Sequence, residues 1–154
     1  PWHYEQHVLG YNFRMSDLHA ALGLSQLRNL SKFIDKRNYI AKKYNIDLNQ
    51  DKIQLPSIRK ENFSSFHLYV IQILGKNYLS SRERIFKALR KMKIGVNVHY
   101  IPIHLHPYYR NLGFKEGDFP NAEIFSNRAI SLPIFYDLTN QEQEFVIESI
   151  HKNL

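Results

Sequence analysis

Cysteine is absent from the 154 residues, which removes a disulfide framework, a thiolate nucleophile and any cysteine-built metal site. Long apolar runs are absent too. No stretch approaches the roughly 20 residues that span a bilayer, and nothing resembles a signal peptide. Internal repeats, low-complexity tracts and an HExxH metal motif are also missing. The expectation is a cytoplasmic globular protein with no membrane partner.

What is present supports a packed domain. The composition is 44% hydrophobic and 14% aromatic, enough for one real core with an appended element. A net charge of +7 and an isoelectric point near 9.6 make anionic ligands worth considering. The positive charge is spread along the chain, with modest clusters at Lys36-Arg37, Lys42-Lys43 and Arg82 to Lys93. That is the pattern of solvated helix faces, and no nucleic-acid-binding motif accompanies it, so no nucleic-acid partner is expected.

The stretch from Gly10 to Leu27 joins a polar, aromatic-flanked loop directly to a helix start. Ser16 suits an N-cap, and Asp17 places negative charge at the positive end of the helix dipole. Apolar residues at Leu18, Leu22, Leu27, Leu30, Ile34, Ala41 and Tyr44 predict one long helix over 16 to 44, bent near Gly23. A loop carrying Asn12 and Arg14 ahead of that helix is placed to hold an anion. Spacing alone also allows Asn12 to be an ordinary turn residue.

Further on, residues 45 to 65 read as a connection with one short strand, and Phe66 to Leu74 as a central strand rich in aromatic and β-branched residues. Ser80 with Glu83 reads as a capping box opening a helix that carries Ile85, Phe86, Leu89 and Met92 and stops near Gly95. Val96 to Tyr100 reads as a second strand. Its alternation sends Asn97 and His99 to one face and Val96, Val98 and Tyr100 to the other. A helical turn at 108 to 112 follows, then a helix opened by Asp118 and Pro120 with Ala122, Phe125 and Ala129. Ser131-Leu132-Pro133 reads as a short extended piece. A second capping box, Thr139 with Glu142, starts a last helix with Phe145, Val146 and Ile150 inward. Tyr108-Tyr109-Arg110 and Phe135-Tyr136-Asp137 are expected to fill core seams. His99, His104 and His106 lie five and two apart in a proline-containing loop, without the scaffold a metal site needs, so no metal is expected. His106 reads as an ordinary satisfied histidine. The order of elements predicts an α/β fold: a small sheet covered by helices on one face, with the long N-terminal helix attached.

Gly10-Tyr11-Asn12-Phe13-Arg14-Met15-Ser16-Asp17, followed by Ala20-Ala21-Leu22-Gly23 and Gln26-Leu27, resembles a signature of the DegT/DnrJ/EryC1/StrS sugar-nucleotide aminotransferases. His99-Tyr100-Ile101-Pro102-Ile103-His104 and Ser131-Leu132-Pro133 resemble later landmarks of that family, in order. Trp2-His3-Tyr4-Glu5-Gln6 resembles the branch acting on the route to pseudaminic acid. The resemblance implies the C-terminal small domain of a fold-type I (aspartate aminotransferase-like) enzyme. Residues 1–45 would be a cofactor-contact loop and connecting helix, 46–154 the small domain, and the large domain would lie upstream of Pro1.

It further implies pyridoxal 5′-phosphate as cofactor, a UDP-sugar and glutamate as substrates, and a homodimer in the intact enzyme. Asn12 would reach the cofactor phosphate of the neighbouring subunit, with Arg14 beside it. Asn97, His99, Tyr100 and His104 would face the nucleotide sugar. The Schiff-base lysine would lie upstream, so no catalytic residue is expected here and the chain alone is expected to be inactive. The alternative is a non-catalytic basic α/β module that binds a nucleotide sugar or nucleic acid.

Overall fold

A computed structural model describes residues 5–11, 13–48 and 50–154. The chain divides into two compact units, residues 1–32 and 33–154. In the first, Ser16 caps helix α1 (Asp17–Leu27), its Oγ accepting the His19 N–H, as expected from the sequence. The long helix predicted from the apolar stripe is two helices. It breaks at Arg28 and Asn29 before α2 (Leu30–Asp47). Asn29 supplies a physical reason. Its side-chain amide takes the Ser25 carbonyl that its own backbone N–H would use in a continuing helix, and that N–H bonds Gln26 instead. Gly23 lies within α1, which continues through it to Leu27. The stripe is also uncovered in this unit: α1 has no buried residue, and Leu18, Leu22 and Leu27 are all exposed.

The second unit holds the core. Among its described residues one sheet forms, antiparallel and in the order β1 (Ile53–Gln54), β2 (Tyr69–Ile73), β3 (Ala129–Leu132). The register pairs Ile53 with Ile73 and Ile71 with Ile130. Strand β2 is central, as its β-branched run predicts. Tyr69, Ile71 and Ile73 point into the core, while Val70 and Gln72 are half-buried on the other face. The core also takes Ile40, Ala41 and Tyr44 from α2, Ile85 and Leu89 from α3 (Tyr78–Lys91), and Val146 and Ile150 from α6 (Asn140–His151). Each fully buried isoleucine adds about 1.5–3 kcal/mol relative to an exposed one. Among the described residues no helix is long and apolar enough to cross a membrane.

Several local expectations need correcting. Helix α3 begins at Tyr78, so Ser80 lies inside it and donates to the Asn77 carbonyl instead of forming a capping box. Its partner in that predicted box, Glu83, pairs with Lys87 one turn on. The stop comes from Lys93, not Gly95: Lys93 has φ 62°. Its N–H bonds Arg90, and the Ile94 N–H bonds Leu89, the paired bonds of a Schellman turn. Residues 96–100 form no strand; Asn97 makes one isolated bridge to Ser131. Ala129 belongs to β3 and not to the preceding helix, α5 (Pro120–Arg128). The Thr139–Glu142 box is present in full, with Glu142 held below the usual carboxylate range by the Thr139 backbone N–H and then its hydroxyl. On α6 Phe145 faces out, and Gln143 takes the inward place by donating to the Ile40 carbonyl. The short helix α4 (Pro107–Asn111) matches the predicted turn.

Candidate functional site

Residues 97 to 106 form the margin of the candidate site, and two neighbouring elements hold them. Strand β3 holds the first half. Asn97 and Ser131 exchange backbone hydrogen bonds of 3.3 and 2.8 Å, and the Ser131 hydroxyl lies 2.6 Å from His99 Nδ1. Asn97 is exposed, its Oδ1 accepting the Val98 N–H and its Nδ2 lying 3.5 Å from His99 Nε2. The ring of exposed Tyr100 meets the His99 imidazole edge-on at 4.5 Å. Asn97, His99 and Tyr100 are therefore adjacent and accessible, though no regular strand carries them.

The second half is held by α5. A 3-10 turn (Ile103–Leu105) sets His104 against Glu123 in the first turn of α5, with Nε2 2.8 Å from Oε1. The same oxygen accepts the Gly117 N–H at 2.9 Å. His104 donates to the Glu123 carboxyl and is the main cause holding it below the usual carboxylate range, assisted by the Gly117 and Phe119 backbone N–H groups. His104 is only 7% exposed.

Between these supports opens a pocket of about 570 Å³, lined almost wholly by apolar and aromatic groups, including Ile103, Tyr109, Phe114, Phe119 and Phe125. Tyr109 was expected to fill a core seam, and so were Tyr108, Phe135 and Tyr136. All four are exposed, because their turns lie on the surface and the isoleucine-rich core is closed without them. No local pattern marks Glu123, Phe114 or Phe119, and Ser131, visible only as part of the Ser131-Leu132-Pro133 landmark, meets His99 32 residues away through the fold.

Arg14 belongs to the other unit, where it is exposed beside Phe13, Met15 and His19. Asn12 lies outside the described residues, as do Trp2, His3 and Tyr4 of the upstream motif. Among the described residues no group of three or more His, Asp or Glu side chains is arranged to hold a metal ion.

Comparison with known proteins gives a consistent result. The DegT/DnrJ/EryC1/StrS aminotransferase family matches residues 2–151. The spore coat polysaccharide biosynthesis protein SpsC of Bacillus subtilis is 38% identical over 152 residues, covering 97% of this chain and 39% of that protein. A UDP-4-amino-4,6-dideoxy-N-acetyl-beta-L-altrosamine transaminase of Campylobacter jejuni is 31% identical, covering 97% of this chain and 39% of that one. Spr1654 of Streptococcus pneumoniae in its apo form superposes with a TM-score of 0.87 at 32% identity, over 99% of this chain and 38% of that one. The same protein is also known in pyridoxal-phosphate and pyridoxamine-phosphate forms. The chain thus spans about two fifths of the length of the curated relatives it matches. Its fold is that of the small α/β domain of fold-type I enzymes, and the family's cofactor is pyridoxal phosphate. By its sequence and its fold, the chain belongs to the DegT/DnrJ/EryC1/StrS aminotransferase family.

Proposed function

We propose that this chain supplies the small-domain part of a pyridoxal-phosphate-dependent aminotransferase. The intact enzyme aminates the C4 ketone of a UDP-4-keto-6-deoxy-hexose, with glutamate as donor, in bacterial sugar-nucleotide and pseudaminic acid biosynthesis. The observation that carries this reading is the accessible Asn97–His99–Tyr100 margin, with His99 held by Ser131 and Tyr100 lining an aromatic pocket, in a chain matched by the family almost end to end. An amide and an imidazole beside Tyr100, which itself lines an apolar cleft, suit a polar ligand that carries a flat or apolar part.

The coenzyme itself does not fit the described residues. Pyridoxal phosphate needs an enclosed lysine for covalent attachment and an acid facing its pyridine nitrogen. Every lysine of this chain is exposed or half-buried, and none lines the aromatic pocket. On the proposed reading the coenzyme is anchored outside this chain. Asn12 and Arg14 contact its phosphate across a homodimer, while Asn97, His99 and Tyr100 meet the UDP-sugar. His104, nearly sealed and with Nε2 engaged by Glu123, enters this reading through that carboxylate.

The test has two parts. Pyridoxal phosphate added to the chain is expected to give neither the absorbance of a lysine-bound coenzyme nor transamination. A band abolished by replacing one of these lysines would refute the assignment. In a protein of the full length of the relatives, Asn12→Ala is expected to weaken coenzyme retention more than UDP-sugar binding, whereas equal losses would make Asn12 a turn residue. A basic binding module would instead take generic DNA with affinity falling steeply as salt rises.

A further inference from the structure

One carboxylate beside the aromatic pocket fixes how His104 is held at its wall. Glu123 sits in the first turn of α5, and a single oxygen, Oε1, takes His104 Nε2 at 2.8 Å and the Gly117 N–H at 2.9 Å. Its side chain is 14% exposed and that of His104 7%. Phe119 closes over the imidazole with ring centroids 4.8 Å apart. Gly117 has φ 93°, a conformation that side chains rarely adopt, so its N–H is aimed by a turn that glycine permits.

The chemistry of the pair is one-directional. A carboxylate only accepts, so the Nε2 that faces it must carry the proton. The imidazole is then fixed both in orientation and in which nitrogen is the bound donor. Three segments meet at this one carboxylate: the 3-10 turn with His104, the turn at Gly117 and the start of α5. His104, Phe119 and Ala122, which these segments contribute, all line the pocket.

We infer that Glu123 is a positioning residue: it locks the His104 imidazole with its proton on Nε2, ties the Gly117 turn through the same oxygen, and so sets the shape of the aromatic pocket for its ligand. The identity of that ligand rests on the sugar-nucleotide reading above, whereas the locked imidazole does not depend on it.

Two measurements on the 154-residue chain test this. The first is ring-nitrogen NMR of His104, and the second is titration with UDP-N-acetylglucosamine as the probe. In the unsubstituted chain the Nε2 proton is expected to exchange slowly with solvent, with distinct shifts for the two ring nitrogens. Glu123→Gln keeps an acceptor oxygen, so it should retain the slow proton and bind the probe within about threefold of the parent. Glu123→Ala should lose the slow proton and weaken probe binding about tenfold, a loss of one charge-assisted bond's magnitude, with helix content unchanged by circular dichroism. If Glu123→Ala does not fold, Glu123→Asp, one methylene shorter, should show the same loss of the slow proton. An unchanged His104 signal and unchanged probe affinity in Glu123→Ala would overturn the inference. Equal losses in Glu123→Gln and Glu123→Ala would overturn it as well. If the parent chain shows the slow Nε2 proton but does not bind the probe, the sugar-nucleotide reading fails while the locked imidazole stands.

Discussion

Tyr44 offers a quantitative test of how the second unit is held together. Its side chain is fully buried, its ring lies 4.9 Å from that of Tyr69, and its hydroxyl donates to the Pro133 carbonyl at 2.9 Å. Replacing it with phenylalanine keeps the packing and removes one hydrogen bond between α2 and the segment after β3. Such a bond is worth about 1 kcal/mol net, and a carbonyl left without its donor raises the cost to about 1–2 kcal/mol. A chain of this length has roughly 0.3 kcal/mol/K of unfolding entropy, so the midpoint should fall by about 3–6 °C. The pH dependence follows from the same burial, which pushes the Tyr44 hydroxyl above the ordinary tyrosine range. The folded state therefore holds the proton longer than the unfolded one. Stability from this group is complete below about pH 10 and declines as pH rises further, by about 1.4 kcal/mol per pH unit for one proton. Urea unfolding of the parent and of Tyr44→Phe at pH 8 and pH 10.8 measures both effects. The destabilisation seen at pH 8 should shrink or vanish at the higher pH, because phenylalanine has no proton to lose. Tyr39→Phe, at an exposed position, is the control. A Tyr44→Phe protein within 0.3 kcal/mol of the parent at pH 8, or a gap that stays constant with pH, would refute the reasoning.

Two further substitutions probe helix ends. Lys93→Gly should stabilise the protein by about 0.5–1 kcal/mol, because Lys93 occupies a left-handed position that glycine adopts without steric cost; thermal unfolding would show it, and a destabilised variant would mean that the lysine side chain contributes there. Thr139→Ala should cost about 1 kcal/mol by removing the acceptor for the Glu142 N–H, read as a lower urea midpoint with an unchanged slope.

Features written in contiguous residues were legible from the sequence. The β-branched run of β2 announced a central strand, and the Ser16 and Thr139 caps stand where a hydroxyl precedes a helical pattern. Sequence patterns mislead where two of them compete or a partner is remote. Ser80 and Glu83 have capping-box spacing, but the helix was already under way from Tyr78. A lysine in a glycine conformation leaves no trace in the sequence, so the pattern points to Gly95 as the stop of α3 when Lys93 makes the turn. Gln143 looks like a surface residue until its amide is seen bonding Ile40, 103 residues away. The site follows the same rule. The motif from His99 to His104 was visible, whereas Glu123 and Ser131, which orient its two histidines, join it only through the fold.

The uncovered leucines of α1 have a practical consequence. With Val8, Leu9, Tyr11, Phe13 and Met15 just ahead of them also turned to solvent, these side chains make an adhesive strip on an otherwise basic protein. Purification at high salt, which weakens charge repulsion between molecules while strengthening apolar attraction, should promote clumping of this chain. Low ionic strength and dilute samples are the conditions under which its binding properties will be read without interference.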